Sequence, residues 1–168
     1  HSDIVWAVDI SPDDQYIVSG SNDRIVKLWD LQSGACLHNF EGHTLQIWYV
    51  AISPDGRTIA SSSLDHTVRL WDIQTKECTA CFRGHTNIVV SVVFSPDGKT
   101  LMSGGMDQMI KQWDLTSKTC TRSWSGYKNI VWSVAVSPDG RTIANSSLDG
   151  MIRIWQIADR QCIQTLKH

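Results

Sequence analysis

One tripeptide sets the frame for the whole chain. Ser-Pro-Asp occurs at Ser11-Pro12-Asp13, Ser53-Pro54-Asp55, Ser95-Pro96-Asp97 and Ser137-Pro138-Asp139, each time 42 residues further on. Trp29, Trp71, Trp113 and Trp155 keep the same step, as do Cys36, Cys78, Cys120 and Cys162. Four such steps fill the 168 residues, so the chain reads as a single unit, 1–168, made of repeats 1–42, 43–84, 85–126 and 127–168. A repeat of this length is one supersecondary element that cannot bury its apolar side alone and must stack on its neighbours.

The second repeat shows what that element is. Trp48-Tyr49-Val50-Ala51-Ile52 runs into Pro54-Asp55-Gly56, and an Asp-Gly pair between apolar runs predicts a tight hairpin because Gly accepts positive φ. Further strands are predicted over 58–62, 68–73 and 78–82, with turns at Asp65-His66 and Thr75-Lys76. Each repeat is therefore a four-stranded antiparallel meander. Apolar residues occupy both parities of the third strand, as in Val68, Leu70, Trp71 and Ile73, so the sheet needs cover on both faces. Radial stacking of twisted four-stranded sheets provides it, and the expected fold is an all-β propeller.

Gly42-His43, Gly84-His85, Trp29-Asp30, Trp71-Asp72 and Trp113-Asp114, set at this period, resemble the WD-repeat family over the whole chain. The resemblance implies four WD-type blades, each with a buried set of His, Ser, Asp and Trp. By position these are His43, Ser61, Asp65 and Trp71, then His85, Ser103, Asp107 and Trp113, with His1, Ser19, Asp23 and Trp29 as a third set exposed to fraying at the chain end. The fourth repeat departs from the pattern: Tyr127 replaces the His, Asn145 the Ser, Gln156 the Asp after the Trp, and His168 the Gly. A looser fourth blade is expected.

Trp usage exceeds what the third strands need. Eight Trp are present, and Trp6, Trp48 and Trp132 share a second phase of the repeat. In the family that phase, the residue two before it and the residue before the turn Asp face the upper opening, where peptides dock. The resemblance places Ile4, Trp6 and Asn22 there from the first repeat, and Gln46, Trp48 and Leu64 from the second. Ile88, Val90 and Met106 follow from the third, and Ile130, Trp132 and Leu148 from the fourth. This largely apolar set has the composition of an interface core, although Trp filling the channel mouth would need no ligand.

Chemistry beyond binding finds little support. His, Ser and Asp recurring together invite a nucleophilic triad, but three copies beside a Trp serve each sheet structurally. Cys78 and Cys81 have a metal-like spacing yet lie on a strand, where residues three apart face opposite sides, so no metal is expected and the cysteines are read as small buried rim residues. Lys27, Arg69, Lys111 and Arg153 form no phosphate ring in a chain of net charge −2 and are read as stems lying along a blade. No cofactor fingerprint occurs, so no cofactor is expected and the chain is not read as an enzyme. Neither nucleic acid nor membrane is an expected partner.

The expected function is a protein-interaction scaffold that binds a peptide or protein on its Trp-rich face. A purely structural self-assembling array, or a propeller module of a larger regulatory protein or enzyme, remains the alternative. Five cysteines without a secretory signal favour a reducing compartment, the cytoplasm. The chain opens on His1 and not Met, which suggests that a larger protein was trimmed or that a tag was removed. Four blades span half of an eight-bladed ring, so a homodimer closing that ring is expected.

Overall fold

The computed structural model describes residues 1–125 and 129–167. Every regular element among them is a strand. The first sheet holds β1 (Val5–Ile10), β2 (Tyr16–Ser21), β3 (Val26–Asp30) and β4 (Cys36–Phe40). The second holds β5 (Ile47–Ile52), β6 (Thr58–Ser63), β7 (Thr67–Asp72) and β8 (Cys78–Arg83). The third has β9 (Val89–Phe94), β10 (Thr100–Gly105), β11 (Ile110–Asp114) and β12 (Thr119–Trp124), and the fourth β13 (Val131–Val136), β14 (Thr142–Ser147), β15 (Met151–Gln156) and β16 (Cys162–Lys167). In each sheet the order in space is the order in sequence, and neighbouring strands pair antiparallel. Among the described residues no blade borrows a strand from another.

The Ser-Pro-Asp segments make the first hairpin of every blade. Ser53 Oγ donates to Asp55 Oδ1 at 2.5 Å and accepts from the Thr58 amide at 2.9 Å, while the Gly56 amide donates to the Ser53 carbonyl at 2.8 Å. One short side chain thus ties both ends of the turn. Gly56 sits at φ 72°, in the left-handed region that glycine enters without strain. Asp14 takes that place in the first blade at φ 56°, a conformation that Asp tolerates better than most residues.

The cores lie between sheets, not within them. Val18, Val26, Leu28 and Phe40 of the first blade pack on Ile47, Val50, Ile59 and Trp71 of the second. Val68, Leu70 and Phe82 likewise meet Val89, Val92, Leu101 and Trp113, and Met102, Ile110 and Trp124 meet Val131, Val134 and Ile143. Apolar residues of both parities on one strand are explained by this arrangement, since each inner sheet is covered twice. Close approach demands small residues. A Cβ added to Gly20 would come within 2.6 Å of Ile47 Cγ2, and one added to Gly104 within 2.8 Å of Val131 Cγ1. The innermost strands β1, β5, β9 and β13 stand side by side around a common channel lined by Val8, Val50, Val92 and Val134. Among the described residues no core joins the first blade to the fourth.

Candidate functional site

At one mouth of the channel the first strand of every blade carries a bulge. Val5 pairs with Ser21 and Ala7 with Gly20, so Trp6 is one residue more than its partner strand can match. Trp48 lies in the same irregularity between Ile47 and Tyr49, Val90 between Val89 and Ser91, and Trp132 between Val131 and Ser133. A bulge turns its extra residue out of the normal alternation of the strand. Four bulges at one phase therefore gather these side chains at one end of the channel.

The three tryptophans meet there. Trp6 stacks on Trp48 with ring centroids 4.9 Å apart, and Trp48 lies 6.4 Å from Trp132 across the third blade. Both separations are ordinary for favourable aromatic pairs. The Trp6 indole donates to Asn22 Oδ1 at 2.6 Å, whereas the Trp48 indole N–H is buried in the cluster with no partner. Packing has not hidden the cluster, since Trp6 remains 47% and Trp132 38% exposed. Ile4 and Leu148 are exposed beside them, while Asn22, Gln46, Leu64, Ile88, Met106 and Ile130 are half-buried. Val90 is buried and offers almost no surface.

Within the blades lie the His-Ser-Asp-Trp sets. In the second blade the Trp71 indole donates to Ser61 Oγ at 2.8 Å, His43 Nε2 lies 2.8 Å from the same oxygen, and His43 Nδ1 lies 2.8 Å from Asp65 Oδ2. A neutral ring protonated at Nδ1 satisfies every group: indole to serine, serine hydroxyl to Nε2, Nδ1–H to carboxylate. The third blade repeats this, with Trp113 to Ser103 at 2.8 Å, Ser103 to His85 at 2.7 Å and His85 to Asp107 at 2.8 Å.

The first blade forms its set as well. His1 lies 2.6 Å from Ser19 Oγ and 2.8 Å from Asp23 Oδ2, so the chain end is held by two side-chain contacts. In the fourth blade Asn145 Oδ1 takes the serine's part and accepts from Trp155 at 2.9 Å. Asp149 there pairs with Arg153 at 2.7 Å. Tyr127 and His168 lie outside the described residues.

Burial works to raise the Asp65 carboxyl, but the hydrogen bonds from His43, Thr67 and the Thr44 amide outweigh it. The carboxyl is held well below the ordinary aspartate range. Asp107 is lowered in the same way: burial opposes, and His85 with the Thr86 and Met109 amides prevails.

The order Ser, His, Asp matches a hydrolytic triad, yet this arrangement cannot act as one. Ser61 and Ser103 are fully buried, and each Oγ already accepts an indole N–H. No substrate carbonyl can reach a nucleophile so placed.

The five cysteines are exposed, not buried as rim residues. The outer strand extends past the reach of the adjacent blade, so four of the thiols turn to solvent and bond weakly to their own strand, as Cys78 Sγ does to the Ala80 carbonyl at 3.4 Å. Among the described residues no group of three or more His, Cys, Asp or Glu could hold a metal ion. Two of the repeated cations lie over their own tryptophans, Lys27 Nζ 5.6 Å from the Trp29 ring and Arg69 Cζ 6.0 Å from that of Trp71, while Lys111 donates to Ser123 and Arg153 pairs with Asp149. Sequence reasoning assigned Trp124 no place. It stands where Phe40 and Phe82 stand in their blades and is buried, and its identity as the third member of that aromatic series was legible from the period.

Comparison with known proteins agrees with this architecture. The family defined by the IFT122 first β-propeller matches residues 4–168. Ribosome biogenesis protein BOP1 homologues of Drosophila grimshawi and Drosophila ananassae are each 44% identical to this chain over 41 residues, and that of Drosophila melanogaster is 42% identical over 41. The shared stretch is about one repeat. It covers 24% of this chain and only 5% of each of those relatives.

Proposed function

We infer function from one premise: the chain belongs to the WD-repeat β-propeller family, as a member of the group defined by the IFT122 first propeller. Propellers of this kind serve as protein-interaction scaffolds. This one is a non-enzymatic scaffold whose Trp-bearing mouth binds a peptide or a protein segment with apolar side chains. The observation that carries the reading is the tryptophan cluster, three large rings brought together by bulges and still partly open to solvent. Exposed aromatic residues clustered on one face mark interface centres, and Trp is prominent among the residues that dominate binding energy. Few charges lie within the cluster, and the net charge of −2 gives no pull toward nucleic acid or an anionic membrane. Five exposed thiols suit a reducing compartment, in keeping with the cytoplasm. The same reading takes the four blades as half of an eight-bladed ring, closed as a homodimer.

The test is capture from a cell lysate by immobilised wild type, Trp48→Ala and Trp132→Ala, with Ser62→Ala as a folded control. Proteins held by the wild type and the control should be lost from both Trp variants, which are expected to weaken binding by about 2 kcal/mol or more, roughly thirtyfold in Kd. Retention of the same proteins at the same level by all four would remove the mouth as the binding site.

A further inference from the structure

Each blade carries a second bulge, on its outer strand. In the second blade Cys78 pairs with Trp71 and Ala80 with Leu70, so Thr79 is the extra residue, and Cys81 pairs with Arg69. Arg69 and Trp71 are two apart on β7 and share a face of the sheet, and residues paired across a ladder share a face as well. Cys78 and Cys81 therefore stand on one face, although on an unbroken strand residues three apart would face opposite ways. The Arg69 side chain agrees with this placement: from its position opposite Cys81, its Nη1 donates to Cys78 Sγ at 3.7 Å.

The other blades show how near these two positions are. Cys36 Sγ lies 3.4 Å from Asn39 Oδ1, Cys120 Sγ 3.6 Å from Ser123 Oγ, and Cys162 Sγ 3.6 Å from Thr165 Oγ1. Each contact joins a cysteine to the residue three further on, across the same bulge. The cation of the third strand reaches that residue too, Lys27 donating to Asn39 at 3.0 Å and Lys111 to Ser123 at 3.3 Å. The second repeat alone has a cysteine at this place, so the neighbour of its repeated thiol is another thiol. Both are exposed.

We propose that Cys78 and Cys81 are a reversible oxidation site, a dithiol that closes to a disulfide by exchange with a low-molecular-weight disulfide such as oxidised glutathione. The Cys78 thiolate attacks one sulfur of that disulfide. Its S–S bond breaks, a mixed disulfide forms on Cys78, and the first glutathione leaves and takes up the proton that Cys78 gave up. Cys81 then attacks the Cys78 sulfur, the mixed disulfide breaks, and the second glutathione leaves with the proton of Cys81. Two protein thiols are oxidised, and one glutathione disulfide is reduced to two thiols. The second attack is intramolecular, between exposed side chains that are free to turn their sulfurs to bonding distance. Cys36, Cys120 and Cys162 have an amide or a hydroxyl at the facing place and stop at the mixed disulfide. In a reducing compartment the closed pair is transient and returns to the dithiol. The site does not depend on the binding function proposed above.

The test is mass spectrometry of the whole reduced chain after incubation with oxidised glutathione, alkylation of the remaining thiols and digestion with trypsin, which releases Glu77–Arg83 with both cysteines. In the wild type this segment should be lighter by two hydrogen atoms and carry neither glutathione nor an alkyl group, while Cys36, Cys120 and Cys162 carry glutathione. Cys81→Ser should instead accumulate glutathione on Cys78, about tenfold or more above the wild type at the same time. Reduced glutathione in excess should restore five alkylatable thiols to the wild type. Glutathione on both Cys78 and Cys81 of the wild type, a bond from either to a third cysteine or a second chain, or a segment left unoxidised would each overturn the proposal. So would equal glutathione on Cys78 in the wild type and in Cys81→Ser.

Discussion

Ser61 and Ser62 are adjacent on β6 and both fully buried, yet replacing them with alanine should have opposite effects. The Ser61 hydroxyl is the node of its set: it accepts the Trp71 indole at 2.8 Å and reaches His43 Nε2 at 2.8 Å. Ser61→Ala removes one oxygen, too little volume for a serious cavity, and strands both partners without water. At roughly 1 to 3 kcal/mol for each of the two unpaired buried groups, the loss should be about 2 to 6 kcal/mol. Ser62 Oγ has no hydrogen-bond partner, so Ser62→Ala relieves a buried hydroxyl that bonds to nothing. That change should be neutral or stabilise by about 1 kcal/mol. The assay is urea unfolding followed by circular dichroism at pH 7 and one fixed protein concentration, so that any assembly contributes equally. Ser61→Ala should lower the midpoint by about 1 M or more, given slopes of about 1 to 3 kcal/mol per M. Equal midpoints for the two variants, or greater damage from Ser62→Ala, would refute the hydrogen-bond assignment that organises each blade.

Trp71→Ala should cost about 3 to 5 kcal/mol in the same assay, because the ring is buried against Phe40, 5.5 Å away, as well as bonded to Ser61; a loss under about 1 kcal/mol would contradict the packing. Asp65 and Asp107 have lowered native pKa values, so the stability they contribute is complete above the ordinary aspartate value of about 4 and is lost as pH falls below it. The urea midpoint should therefore decline steadily from about pH 4 downward, and a midpoint unchanged to pH 3 would count against ionised carboxylates in the sets. All five thiols should react with a disulfide reagent in the folded protein without denaturant, since all are exposed; protection of any four would mean that the rim is covered.

The strands were legible because their signals are local. Asp55-Gly56 and its counterparts fix hairpins through the backbone freedom of one residue, and the predicted strand over 58–62 is observed as Thr58–Ser63. The buried sets were legible through the family resemblance, and the first blade shows that a terminal His1 can still be held when both of its ring nitrogens find partners. The bulges at Trp6, Trp48 and Trp132 were not legible, because a bulge depends on the register between two strands and has no residue signature of its own here. Sequence phase grouped those three residues, but only the ladder explains why they point to one mouth. The cysteines misled for a related reason: a small apolar residue on a strand reads as buried, and whether a neighbouring sheet reaches it is a matter of tertiary geometry.

The sequence by itself determined the period, the strands and the hairpins, since each depends on residues within one repeat, and the resemblance to the family supplied the hydrogen-bonded sets. It could not assign environments. Val5 and Ile47, or Ile152 and Ile110, hold the same place in repeats of the same pattern, yet one of each pair is bare and the other fully buried. Burial in a stacked array is set by the neighbouring sheet, and a repeat carries no mark of whether such a sheet packs on it. Only the tertiary structure decided which of these matched positions is covered.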